Sequence, residues 1–264
     1  MYIDLYQVNA DSPQLDTEIR IRAFRAVDDP ETCQKFIDGH RTVLEYHGVI
    51  KVTSSNNEWA QNPAVFVIVV ESMDQTKLYG GARVHAADGI TRLPIEDATG
   101  YMDPKIYEVV AESAQNGTGE LCGLWNSKEV AGLGVGSLFP SVAAVVIAEQ
   151  IGLTTMFSLC SPATVRFNQW IGSSILKTVG NEGTFYYPKL DLLATAVFLP
   201  DATTLENAHP KEREKMLWLR KNLRTVSMER SPFKNKSVKV HYELEISGAR
   251  KDEFKIPMKV NSAG

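Results

Sequence analysis

The chain has 264 residues, 44% of them apolar and 23% charged, which supplies enough apolar material for a sizeable core. A formal net charge of -4 gives no footing for nucleic-acid binding. No apolar run approaches the ~18 residues that a membrane span requires.

The start, Met1 to Tyr6, lacks the basic flank and apolar core of a signal peptide, and Ile3 to Val8 reads as an edge strand. Glu18 to Arg25 alternates apolar with basic residues, the pattern of a half-buried strand. Asp28-Asp29-Pro30-Glu31 is a helix start, with Phe36, Ile37, Val43 and Leu44 at helical spacing behind it and Gly48 as the stop. Ser54 to Asn62 is polar and reads as a loop. Ala64 to Val70 is a continuous β-branched run, as in a strand covered on both faces. A turn at Met73 to Lys77 leads into Leu78 to His85, so these two strands form a hairpin. The connection from Ala86 to Gly117 exceeds the usual length of about four to six residues and holds a helix around Pro104 to Ser113.

Next comes a mostly apolar strand, Gly119 to Asn126, followed by the glycine-rich Ala131-Gly132-Leu133-Gly134-Val135-Gly136-Ser137. Ser137 is placed to N-cap an apolar helix from Leu138 to about Ile151 that leaves almost no polar face and is expected inside the domain. A strand, a glycine-rich turn and a helix N-terminus let backbone N–H groups converge on a phosphate, and the helix dipole adds roughly half a positive charge. The other reading is a tight turn into a buried helix. No P-loop lysine follows.

Thr154 to Leu159 is the next strand, giving a strand–helix–strand crossover of the right-handed kind. Ser161-Pro162 opens a helix, Ala163 to Trp170, stopping at Gly172; Phe185 to Tyr187 and Leu192 to Phe198 close the sheet. Lys211 to Arg224 reads as a charged amphipathic helix, and Val238 to Ile246 with Phe254 to Val260 as a hairpin joined at Gly248. Between His209 and Lys251 twelve basic residues face five acidic ones, either a solvated face or a dock for an acidic partner. The expected division is an N-terminal edge segment (1–17), a main domain (18–200) and a C-terminal helix and hairpin extension (201–264).

This order of elements resembles the GNAT N-acyltransferase fold, over about residues 18 to 200, and Ile19-Arg20-Ile21-Arg22-Ala23 followed by Asp28-Asp29 looks like its opening. Within that superfamily the sequence is most similar to acyl-homoserine-lactone synthases and long-chain N-acyl amino acid synthases. The features are Gly80-Gly81-Ala82-Arg83, Arg92-Leu93-Pro94 and Glu120 early in its strand. The fold class implied is α/β (α+β): a mixed, mostly antiparallel central sheet with helices on both faces, plus the C-terminal extension. The resemblance also implies an enzyme, and the three widely spaced cysteines, Cys33, Cys122 and Cys160, an odd number with no C-x-x-C pair, fit a reducing cytoplasm.

The implied co-substrate is acetyl-CoA or a longer acyl-CoA, with an acyl carrier protein as the alternative donor, and the partner a small-molecule amine acceptor. A homodimer is compatible with it; no metal is implied, and the five histidines form no ligand motif. The cofactor's pyrophosphate would lie on Ala131, Gly132, Gly134, Val135, Gly136 and Ser137, where Ala131 replaces the usual arginine or glutamine. The backbone of Leu124, Trp125 and Asn126 would hold the pantetheine and polarise the thioester, and the Trp125 side chain would line a pocket or pack in the core. Glu120, desolvated in an apolar strand, would take the amine's proton; alternatively it is an exposed acid or a salt-bridge partner of Arg83. Arg83 would bind an acceptor carboxylate or pair with Glu120. Asn168 stands where many such enzymes carry a tyrosine acid, and Asn168 or Ser161 would hydrogen-bond the departing thiol. Cys122 and Cys160 read as core thiols rather than nucleophiles. The alternatives in function are a degenerate acyl-CoA-binding regulatory module and a protein N-acetyltransferase.

Overall fold

The computed structural model describes residues 18–46, 48, 57–131, 133–136, 138–231 and 236–256. The expected strand at Ile3 to Val8, Gly132, Ser137 and the end of the expected strand at Phe254 to Val260 fall outside these residues.

The strands are β1 (Glu18–Arg25), β2 (Val65–Glu71), β3 (Leu78–Ala86), β4 (Thr118–Asn126), β5 (Thr155–Cys160), β6 (Ser174–Ile175), β7 (Thr184–Tyr186), β8 (Leu193–Leu199), β9 (Arg224–Arg230) and β10 (Ser237–Glu243). The helices are α1 (Pro30–Tyr46), α2 (Pro94–Thr99), α3 (Lys105–Ala114), α4 (Leu138–Ala148), α5 (Pro162–Trp170) and α6 (Pro210–Lys221). One sheet runs in the order β6-β8-β5-β4-β3-β2-β1-β10-β9, with β7 also on β8. Its pairs are antiparallel except β4 with β5 and β1 with β10. Among the described residues no helix is long and apolar enough to cross a membrane.

The alternation of β1 separates two environments. Ile19, Ile21 and Ala23 enter the core beneath α4. Arg20 and Arg22 lie on the other face, where both reach the buried Glu71 carboxylate, at 2.8 and 3.1 Å. Arg22 also pairs with Asp29 at 2.8 Å, and Asp29 accepts a hydrogen bond from the Thr32 N–H at 3.0 Å. The helix start legible in Asp29-Pro30 is thereby tied to the neighbouring strand.

All seven residues of β2 and all eleven of α4 are buried. The helix is sandwiched as its all-round apolar sequence requires: the sheet covers one side and α6 the other, through Met216 and Leu219. A second apolar cluster lies under α1 (Phe36, Trp59, Val67, Trp125) and a third under α2 and α3 (Leu93, Ile95, Ile106, Phe157). Arg83, His85, Glu120 and Cys122 belong to none of the three.

The C-terminal hairpin differs from expectation. β10 turns against β9 and lies parallel to β1, so the hairpin is Arg224–Arg230 with Ser237–Glu243, not Val238 to Ile246 with Phe254 to Val260. β9 is an edge strand with Val226 and Met228 exposed, held by its ladder and by the buried Glu229, which accepts the Tyr242 hydroxyl at 2.9 Å, so no apolar alternation announced it. Phe254 sits in a turn and packs edge-on against Phe66 at 6.0 Å.

Candidate active site

The ladder between β4 and β5 is short. It joins Thr118–Glu120 to Thr155–Phe157 and stops, so β4 continues from Leu121 to Asn126 without a β5 partner. Along β4, Thr118 to Leu121 are buried, whereas Cys122, Gly123 and Leu124 are partly open. The loss of the neighbour and the gain of exposure begin at one place, which marks an opening between the two strands.

A bulge occurs at the same point. Gly81 pairs with Trp125 and Arg83 with Cys122, so Gly123 and Leu124 both stand opposite Ala82. Gly123 has φ +59°, and a Cβ there would lie 2.7 Å from Arg83 Nε. Glycine is needed for both the backbone turn and the guanidinium beside it.

Glu120 ends the paired part of β4 and is 2% exposed. Its Oε2 accepts the Ile95 N–H at 2.6 Å, from the first turn of α2. Burial pushes the carboxyl up to about 8; the Ile95 hydrogen bond and the Arg83 charge oppose the rise, and Glu96 and Asp97 add to it. It is therefore not an exposed strand-end acid. Among the described residues no ion pair joins it to Arg83. The Arg83 guanidinium instead lies 4.3 Å above the Trp59 ring and 5.8 Å from Phe36, with the residue fully buried.

The sequence reading missed α2, the element that holds Glu120. Its signals were present in Pro94 at the first turn and in Glu96, whose Oε2 accepts the Leu93 N–H at 2.7 Å. It also missed His85, which stands opposite Glu120 in the β3–β4 register. His85 and His40 are both buried, and burial followed by the Arg83 charge lowers both, His40 to about 4. Both imidazoles are neutral at physiological pH.

Trp125 does not line an opening with its side chain. The indole packs edge-on against Phe36 at 5.7 Å, and a Cβ at Gly39 of α1 would fall 2.2 Å from it. Leu124 and Asn126 are partly open. The glycine loop meets this end of β4 directly: a Cβ on Gly136 would lie 1.7 Å from the Asn126 Cβ. Gly134 turns with φ +76°, and its carbonyl accepts the Phe139 N–H at 3.1 Å as α4 begins. Ala131 is partly open and Val135 fully buried. Gly132 and the expected cap Ser137 lie outside the described residues.

On the β5 side, Asn168 Nδ2 donates to Cys160 Sγ and to the Thr164 carbonyl, both at 3.2 Å. Ser161 is exposed at the start of α5, with its Oγ 3.4 Å from Thr164 Oγ1. Burial pushes the Cys160 thiol up to about 12, to which the Glu120 charge adds; burial pushes Cys122 up to about 12 as well. Neither thiol forms a thiolate near neutrality, which argues against a nucleophile; Cys160 is buried, whereas Cys122 lies partly open on β4. Among the described residues no three His, Cys, Asp or Glu side chains gather to hold a metal ion.

Much of the C-terminal positive charge is consumed internally. Lys215 pairs with Glu229, Arg220 and Lys251 with Glu149, Arg224 with Glu245 and Lys239 with Glu18. Arg213 donates to the Thr204 carbonyl and Arg220 to that of Val145.

No family model matches the sequence, and no curated protein matches it. Solved structures do match. FeeM, an N-acyl amino acid synthase from uncultured soil microbes, superposes with a TM-score of 0.55 at 15% identity, over 74% of this chain and 97% of its own. MesI, a CoA-dependent acyl-homoserine lactone synthase, is similar at a TM-score of 0.47 and 13% identity, over 77% of this chain and 95% of its own. The likeness to FeeM, together with the short β4–β5 ladder and the glycine loop before α4, shows that the chain has a GNAT-like fold.

Proposed function

We propose that this protein is an N-acyltransferase that moves an acyl group from a CoA thioester, or from a carrier-protein thioester, to a primary amine of a small molecule such as an amino acid derivative. The observation that carries this reading is Glu120: a buried carboxyl with its pKa near 8, at the base of the opening between β4 and β5, in a fold shared with an N-acyl amino acid synthase. The ionised carboxylate takes the proton of the attacking amine, the nitrogen bonds to the thioester carbonyl carbon, the carbon–sulfur bond breaks, and the proton held on Glu120 passes to the departing sulfur, directly or through solvent, so that the thiol leaves and the carboxylate is restored. The stretch of β4 at Leu124 to Asn126, which has no β5 partner, holds the pantetheine arm, and the loop through Ala131, Gly134, Val135 and Gly136 holds the pyrophosphate. Asn168 or Ser161 hydrogen-bonds the departing sulfur.

A second reading is favoured by Asn168, whose amide is already engaged with Cys160 and Thr164: a module that binds acyl-CoA without turning it over. Calorimetric titration with acetyl-CoA and long-chain acyl-CoAs, followed by thiol-release assays over a panel of amines and amino acids, separates the two. Thiol release that depends on the amine supports transfer; binding without release supports the module. Failure to bind any CoA or carrier-protein thioester removes both.

The pH profile is a further test. Below about pH 8 Glu120 is mostly protonated, and a neutral carboxyl is too weak a base to take the amine's proton. With an acceptor already neutral throughout the range, kcat/KM is expected to rise about tenfold per pH unit and level off near that value. A profile flat from neutrality upward would remove Glu120 as the base.

A further inference from the structure

His85 lies in the sheet directly opposite Glu120. Side chains opposed in this way project from one face, with their Cβ atoms roughly 4.5–5.5 Å apart. The residue is 9% exposed, and its Nε2 is buried without a hydrogen-bond partner among the described residues. A buried polar nitrogen left unsatisfied keeps its full desolvation cost. In native folds such a group is met by ordered water, an ion or a ligand, or serves in catalysis. Glu120, the acid opposite, carries a second carboxylate oxygen, Oε1, beside the Oε2 that accepts the Ile95 N–H.

A primary amine satisfies both. Its nitrogen must keep its lone pair for attack, so its N–H groups must point at acceptors. The carboxylate oxygen of Glu120 is one acceptor, and the lone pair of a neutral imidazole is another. Burial and, after it, the neighbouring Arg83 charge disfavour the imidazolium, which would have no lone pair to offer.

We propose that His85 is part of the acceptor-binding site, its Nε2 accepting a hydrogen bond from the N–H of the primary amine whose proton passes to Glu120. This rests on the reading of Glu120 as the group that takes that proton. The acceptor class it selects is an unhindered primary amine, because one N–H must serve each group. A secondary amine has a single N–H once neutral and leaves one of the two acceptors unfilled.

The test combines kinetics with a readout independent of turnover. In His85→Leu the amine KM is expected to rise about five- to tenfold, the equivalent of one lost neutral hydrogen bond, with donor KM unchanged. His85→Gln, which returns an acceptor to that position, is expected to recover at least half of the loss. In the wild-type protein labelled with ¹⁵N-histidine, the His85 Nε2 resonance is expected to move on titration with butylamine, even if both variants fold poorly.

Transfer with an unchanged amine KM in folded His85→Leu, or an Nε2 resonance that stays fixed at butylamine levels that support turnover, overturns the assignment and leaves acyl transfer standing. A resonance that moves in a protein that releases no thiol overturns acyl transfer and leaves an amine site at His85. A fixed resonance with no thiol release overturns both.

Discussion

Glu120→Gln is expected to lower kcat by about 10²–10⁴-fold while leaving the affinity for the acyl donor unchanged. Glutamine keeps the oxygen that accepts the Ile95 N–H but cannot take a proton from an amine. The same substitution is expected to stabilise the protein at alkaline pH. In the fold the carboxyl sits near 8, against an ordinary value of 4.5. A group raised in this way stabilises the fold fully below about pH 4.5, and that contribution is lost as pH rises from there to about 8. Above that point the wild type carries a buried, ionised carboxylate costing on the order of 3–5 kcal/mol, which the glutamine variant avoids. Thermal melts at about pH 9 should therefore place the variant roughly 6–20 °C above wild type, the two converging at about pH 5. Equal melting temperatures at both pH values would mean that Glu120 is not a desolvated acid. Equal kcat would remove it from the chemistry whatever the melts show.

Gly136→Ala is expected to have the second largest effect. The added Cβ would lie 1.7 Å from the Asn126 Cβ and 2.7 Å from its Cα. A rotamer change cannot relieve contact with the Cα, so the loop must move away from the tip of β4. Overpacking of this kind costs typically about 1–3 kcal/mol. A cost of about 3 kcal/mol is expected here, a drop in melting temperature of roughly 6–12 °C. If this loop and the end of β4 together hold one donor, its dissociation constant should also rise at least tenfold, read by calorimetry at a temperature where the variant is folded. A loss of stability with unchanged donor affinity would place the donor away from this contact.

Much of the fold is legible in the chain because its elements carry strong local patterns. β1 is bounded as its apolar–basic alternation predicts, α1 begins at the Asp29-Pro30 start, and α4 is apolar on every side and buried on every side. The elements that escaped are those whose reasons are not local. The six-residue α2 is too short to display a helical period. β9 is secured by its ladder to β10. The C-terminal hairpin was misread because alternation marks a strand without naming its partner.

The site divides in the same way. An acid in an apolar strand ahead of a glycine-rich loop and a buried helix can be read from the residues alone, because charge, hydropathy and glycine spacing are properties of the chain. The surroundings of that acid come from contacts between distant segments. The extra residue at Gly123-Leu124 breaks the two-residue alternation of β4 and turns Trp125 onto the face of Glu120 and Cys122, into the core beneath α1. Pairing with β3 sets His85 opposite Glu120, and α2 is carried to its Oε2 across a connection that no local rule specifies. Burial, which depends on every neighbour at once, then lifts an ordinary carboxyl into the range where it can exchange a proton with an amine.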